Sequence, residues 1–161
     1  PRMMKKWLYL VLTLLMALLE ISLFPALNIK APALVLLLAI LAGLRDGPHL
    51  GLLVGVVGGL ALDISLGFSI PQMAIIYGLS GFIAGYVSGQ IFDMGGITYI
   101  LVTAIATVFS TLLAAFFSLA FGYLGWRIVL NLPQIGRSLL MNSLFAILIY
   151  LSLDRFMPIE D

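Results

Sequence analysis

The stretch GLLVGVVGGLALD, residues 51–63, decides how this sequence is interpreted. Its evenly spaced small and acidic residues recur at every fourth position: Gly51, Gly55, Gly59 and Asp63. On a helix such a set forms one ridge, without side chains for three steps and then with a carboxylate. A glycine costs a helix up to about 1 kcal/mol relative to alanine in water. Inside a bilayer, however, small residues four apart let two helix backbones approach closely. The stretch therefore predicts a membrane helix that packs tightly against another.

The same spacing recurs further along the chain in Gly81, Gly85, Gly89 and Asp93. The two copies would lie on consecutive, antiparallel helices. We therefore expect a tight central hairpin, with the six glycines as a helix-packing or partner interface and one aspartate near each membrane face. The alternative is a chance match among glycine-rich membrane helices, in which the aspartates share no role.

The composition points to a polytopic membrane protein with little outside the bilayer. The chain has 161 residues, of which 63% are hydrophobic and 9% charged, and its mean hydropathy is +1.20. A net charge of +1 argues against a nucleic-acid surface. With no cysteine and one histidine, thiolate and multi-histidine metal sites are excluded. We expect no enzymatic activity, no metal and no cofactor.

Apolar runs separated by polar, glycine and proline residues predict one all-α domain over residues 1–161, a six-helix transmembrane bundle with short loops. The predicted spans are residues 7–24, 33–44, 50–66, 71–92, 97–121 and 137–153, and residues 122–136 are predicted to be an interfacial segment. The second span gives only about 18 Å of helix, short of a core of about 30 Å. We favour a span that begins earlier with a kink near Pro32 over a re-entrant segment.

Basic residues near the span ends set the expected orientation. The inner side would carry Arg2, Lys5, Lys6, Arg45 and Arg155, and the outer side Lys30, Arg127 and Arg137. This bias predicts that both termini are cytoplasmic. The first apolar run contains Glu20 and is long for the core of a cleavable signal, so we interpret it as the first span.

Ionisable side chains within spans are costly and are therefore functional candidates. Glu20 and Asp63 each lie about 20 Å along their helices from the inner side, which places both in the outer half. The bases expected on that side are Lys30, Arg127 and Arg137. We hypothesise an outer polar cluster in which the two carboxylates pair with one or two of these bases. The alternative is that each carboxylate reaches the interface alone.

Other polar residues are assigned smaller roles. His49 is interpreted as a solvated interfacial residue, and Asn142 is expected to bond a neighbouring helix. Asp63 and Asp93 would lie at opposite membrane faces, too far apart for the paired aspartates of an intramembrane protease. Catalysis therefore finds little support in the sequence.

The run RDGPHLGLLVGVVGGLALDISLGFSIPQMAIIYGLSGFIAGYVSG, residues 45–89, resembles MreD, the bacterial rod-shape-determining membrane protein. The residues that carry the resemblance are Arg45, Gly47, Gly51, Gly55, Gly59, Asp63, Gly67, Gly78, Gly81 and Gly85. Chain length, six short spans and the basic N-terminus agree with that family. One departure is Ala33, at a position where family members often carry an aspartate between Pro and Leu.

The resemblance implies a non-enzymatic scaffold in the bacterial cytoplasmic (inner) membrane. Such a scaffold binds MreC and belongs to the wall-elongation machinery with MreB, RodA and a class B penicillin-binding protein. The family is also thought to resemble in fold the substrate-binding subunits of energy-coupling-factor transporters. The alternative function is therefore a small-molecule-binding or transport subunit, which should enclose a polar-lined cavity of several hundred Å³.

Overall fold

The computed structural model describes residues 2–28, 32–90, 95–122 and 131–156, and within these ranges every regular element is a helix. We number six helices: α1 (Arg2–Leu18, continued by the π-helical turn Leu19–Leu23 and by Phe24–Ala26), α2 (Leu34–Asp46), α3 (Pro48–Leu66), α4 (Gln72–Ser88), α5 (Gly96–Ala120) and α6 (Leu132–Phe156). Four of them are long and apolar enough to cross a membrane: α1, α3, α5 and α6. The chain is thus all-helical and membrane-embedded.

The centre of the protein is α2. Its residues from Leu34 to Leu44 are all buried, and it contacts each of the other five helices. A helix that is apolar on every side is expected inside a protein or a membrane rather than at a water-exposed surface. The predicted antiparallel hairpin of α3 and α4 is confirmed, since the glycine face of α3 lies directly against the backbone of α4. Its predicted central position is wrong, because both helices also pack against α2 and α2 occupies the centre.

The second helix begins abruptly. Pro32 and Ala33 are not helical, and Ala33 is the N-cap of α2. The favoured alternative of a longer span kinked near Pro32 is wrong, because α1 ends at Ala26 and leaves no helical extension among the described residues before Leu34. Thirteen residues make α2 about 20 Å long, which is shorter than a hydrocarbon core of about 30 Å.

The glycines of α3 and α4 bring three backbones together. A Cβ added at Gly55 would meet the carbonyl group of Tyr77, and one at Gly59 would lie 2.5 Å from the amide nitrogen of Ala74. A Cβ added at Gly51 would meet the Gly81 carbonyl and would lie 2.8 Å from the Cα atom of Gly43. The backbones of α2, α3 and α4 therefore touch where no side chain intervenes.

Two glycines at the end of α4 differ in their surroundings, and Gly85 makes the predicted close contact with α3. A Cβ added at Gly85 would lie 2.5 Å from the Cα atom of Pro48, so this position is closed by the start of α3. Gly89 is exposed beyond the end of α4, and a Cβ there would meet only its neighbour Tyr86, at 3.6 Å. Among the described residues Gly89 therefore makes no close helix contact, and its place in a partner interface stays a prediction. Asp93 lies outside the described residues.

The segment between α5 and α6 is shorter than predicted. The last helix begins at Leu132 and includes Pro133, which is tolerated because the first turn of a helix needs no donor there. Residues 132–136 are thus helical rather than part of the interfacial segment predicted for residues 122–136. Residues 123–130, including Arg127, lie outside the described residues.

The close approach at Gly55 can be tested by adding one methyl group. We expect Gly55→Ala to lower the free energy of unfolding by about 1–3 kcal/mol, because the backbone of α4 must move away. Gly136→Ala is the matched control, since nothing lies within 4 Å of a Cβ there. The free energy of unfolding of the control should be unchanged or higher by up to about 1 kcal/mol, because alanine has a higher helix propensity than glycine. Thermal unfolding in detergent measures both, and equal melting of the two variants would contradict the backbone contact.

Candidate functional site

Asp63 sits near the end of α3 and bonds the start of α4. Its side chain is 2% exposed. The N–H groups of Met73 and Ala74 donate to its two oxygens, Oδ1 and Oδ2, each at 3.0 Å. These are free donors of the first turn of α4, whose N-cap Pro71 offers no side-chain acceptor. Asp63 is therefore the cap of α4, and the first N–H group that it accepts, that of Met73, lies ten residues later in the chain.

Glu20 plays the corresponding part at the start of α2. The Val35 N–H donates to Glu20 Oε2 at 3.3 Å, across from α1. Glu20 lies in the π-helical turn Leu19–Leu23, where one extra residue widens the helix and changes the direction of the side chain. A carboxylate at a helix N-terminus is stabilised by the free N–H groups and by the helix dipole.

Asn142 completes the cap of α2 from the opposite side. The Ala33 N–H donates to Asn142 Oδ1 at 3.0 Å. The amide nitrogen of Asn142 donates to Thr107 Oγ1 at 3.0 Å, and the Thr107 hydroxyl donates to the carbonyl of Thr103 at 2.8 Å. The prediction that Asn142 bonds a neighbouring helix is confirmed. The resulting chain of hydrogen bonds links α2, α6 and α5 at the same end of the bundle.

A polar cavity adjoins these caps. It has a volume of about 170 Å³ and lies among the start of α2, α4, α5 and α6. The side chains that supply its polar groups are Tyr77, Thr107, Ser110, Thr111, Ser138 and Asn142. All of these are neutral hydroxyl or amide groups. The cavity therefore suits a small neutral polar molecule and is smaller than the several hundred Å³ expected of a vitamin-sized ligand site.

Of the hypothesised cluster of carboxylates and bases, the structure describes Glu20, Asp63 and Arg137, and among these it shows no ion pair. The hydrogen bonds described for Glu20 and Asp63 come from backbone N–H groups of other helices. Arg137 is exposed near the start of α6, while Lys30 and Arg127 lie outside the described residues. The alternative of carboxylates reaching the interface alone does not hold for Asp63 either, since it is buried and doubly bonded.

The opposite end of the bundle carries Lys5, Lys6 and Arg45. Arg45, at the end of α2, forms an ion pair with Asp154 at 2.8 Å and lies over the Tyr150 ring, 5.7 Å from its centroid. The Tyr9 hydroxyl donates to Asp46 at 2.8 Å and so ties α1 to α2. Sequence reasoning missed both contacts, because each joins residues far apart in the chain. His49 is exposed beside them, as predicted for an interfacial residue.

No cluster of three or more potential metal ligands occurs among His, Asp and Glu side chains in the part of the chain that the structure describes. Glu20 and Asp63 instead serve as hydrogen-bond acceptors for the starts of α2 and α4. The chemistry that this arrangement supports is structural, because the oxygens of Asp63 are already occupied by backbone donors.

Removing the Asp63 carboxylate tests its role as a cap. We expect Asp63→Ala to lower the free energy of unfolding by about 2–4 kcal/mol, since a cap is lost and two buried N–H groups lose their acceptor. Ser65→Ala on the same helix is the control, because its hydroxyl is exposed and bonds only the carbonyl of Ala61. Chemical unfolding in detergent compares the two. An Asp63→Ala protein as stable as the control would contradict the capping role.

The Asn142–Thr107 hydrogen bond is tested by a double-mutant cycle. We expect Asn142→Leu and Thr107→Val to destabilise the protein separately and to show a coupling of about 0.6–2 kcal/mol. The control pairs Asn142→Leu with Ser152→Ala, an exposed α6 hydroxyl that bonds the carbonyl of Leu148. That pair should be additive. Additivity in both cycles would exclude an energetic role for the bond.

No family model, no curated protein and no solved structure matches this chain. The geometry of the caps and of the two ends of the bundle is therefore the basis on which a function is proposed, together with the residues that resemble MreD.

Proposed function

We propose that this chain is a non-enzymatic scaffold of the bacterial wall-elongation machinery, an MreD-like protein that binds MreC and helps to maintain rod shape. The observation that carries the proposal is that the carboxylates within the predicted spans accept hydrogen bonds from helix starts. Asp63 and Glu20 bond the first turns of α4 and α2, so the residues most suggestive of chemistry hold helices together instead. A protein whose buried charges stabilise its own fold acts through its surface.

In this proposal the six helices form one transmembrane bundle in the cytoplasmic membrane, with both termini in the cytoplasm. The basic end formed by the start of α1 and the end of α2 faces inward, in keeping with the excess of lysine and arginine on the cytoplasmic side. The short α2 lies inside the bundle and needs no contact with lipid along its length.

The membrane-facing sides of α1 and α5 offer the surface that a scaffold needs. Exposed apolar side chains follow α1 at Val11, Leu14, Leu15 and Leu18, and follow α5 at Leu101, Ile105, Leu112 and Phe116. Lipid tails and the single membrane helix of a partner such as MreC both suit surfaces of this kind. MreB, RodA and the class B penicillin-binding protein would then be reached through MreC.

The alternative, a small-molecule-binding or transport subunit, receives less support. The cavity beside the caps has a volume of about 170 Å³ and is lined by neutral groups, which limits it to ligands smaller than a vitamin. A transport subunit would be stabilised by its ligand, whereas a scaffold would be stabilised by its partner. Measuring whether a ligand or a partner raises the stability of the protein therefore distinguishes the two functions.

Co-purification tests the scaffold directly. We expect tagged protein, co-expressed with MreC in a rod-shaped bacterium depleted of its own MreD, to retain MreC in mild detergent and to restore rod shape. An MreC that lacks its membrane helix is the control and should be lost on washing. Recovery of the tagged protein without full-length MreC, from cells that stay round, would contradict the proposal.

A further inference from the structure

The start of α1, the end of α2 and the start of α3 enclose a second pocket, which the proposed function does not use. Its volume is about 580 Å³. The polar part of its lining is Lys5, Lys6, Arg45, Asp46 and His49, and the apolar part is Leu50 and Leu53. The lining thus combines cationic groups with an aliphatic surface, a combination that the neutral cavity at the other end lacks.

The positive charge of this pocket comes mainly from the two lysines of α1. Arg45 is held in place, with its side chain 8% exposed, by its ion pair with Asp154. Asp46 accepts a hydrogen bond from Tyr9, and its charge offsets one of the three bases in the lining. Asp154 is 47% exposed, so water screens its charge.

The position of the pocket places it at the depth of lipid headgroups. Trp7, next to Lys6, is 67% exposed on a helix long and apolar enough to span a membrane. Tryptophan and lysine at the end of a membrane helix are typical of the boundary between hydrocarbon and water. Leu53, 39% exposed, adds an apolar surface on the hydrocarbon side of the same pocket.

We propose that this pocket binds the phosphate of an anionic phospholipid headgroup. The ammonium groups of Lys5 and Lys6 contact the phosphate, while Leu50 and Leu53 contact the glycerol and upper acyl region of the same lipid. Basic pockets between membrane helices recognise anionic headgroups in this way. The volume and the mixed lining favour an amphiphile over a free phosphate ion. This inference does not depend on the scaffold function.

The test titrates lipid into the purified full chain in detergent and measures the melting temperature of the protein at each lipid concentration. The probes are dioleoyl phosphatidylglycerol, dioleoyl phosphatidylcholine and inorganic phosphate. We expect stabilisation by phosphatidylglycerol alone. Lys6→Gln should weaken the apparent affinity for phosphatidylglycerol about fivefold. The double variant Lys5→Gln/Lys6→Gln should weaken it roughly 25-fold, because each basic group near an anionic lipid increases the affinity about fivefold.

Arg155→Gln is the matched control, since it removes one exposed charge that does not line the pocket. Its affinity for phosphatidylglycerol should stay within about twofold of the unchanged protein. An equal loss in the control would show attraction to surface charge in general and overturn the proposal. Equal stabilisation by phosphatidylcholine, or by inorganic phosphate, would overturn it as well.

Discussion

A backbone N–H group inside a membrane has no water to bond, and leaving it unsatisfied costs several kcal/mol. This constraint acts on α2 and α4, because both begin inside the bundle. Leu34 and Gln72, their first residues, are buried. Acceptors must therefore come from other helices, and Glu20, Asn142 and Asp63 supply them. The positions of these three polar residues follow from where the two helices start.

The same burial explains the glycines. A short helix enclosed by five others leaves little room between its neighbours, so the backbones of α3 and α4 touch that of α2 where side chains are missing. Gly43, Gly51 and Gly81 meet at that point, one from each helix. Capping and close packing thus support each other, since the caps fix where α2 and α4 begin and the glycines let them lie in contact with α3.

The sequence predicts part of the helix packing but neither the central position of α2 nor the caps. The spacing of Gly51, Gly55 and Gly59 predicts a helix face without side chains, and composition predicts a membrane protein. The central position of α2 was missed because apolar composition does not distinguish side chains that face lipid from those that face protein. The signal that was available is its uniform apolarity from Leu34 to Leu44 in a helix too short to span. The cap by Asp63 leaves no local motif, because its targets lie ten and eleven residues away.

A buried carboxylate can be stabilised without a paired base, and the cap formed by Asp63 shows how. The start of a helix presents several N–H groups that point in one direction, together with the positive end of the helix dipole. Asp63 uses both of its oxygens on two such groups, which a serine or threonine hydroxyl cannot do with one oxygen. The helix end therefore supplies both the hydrogen bonds and the opposite partial charge that a lysine or arginine would provide. At the other end of the bundle, Lys5, Lys6 and Arg45 line a pocket of their own.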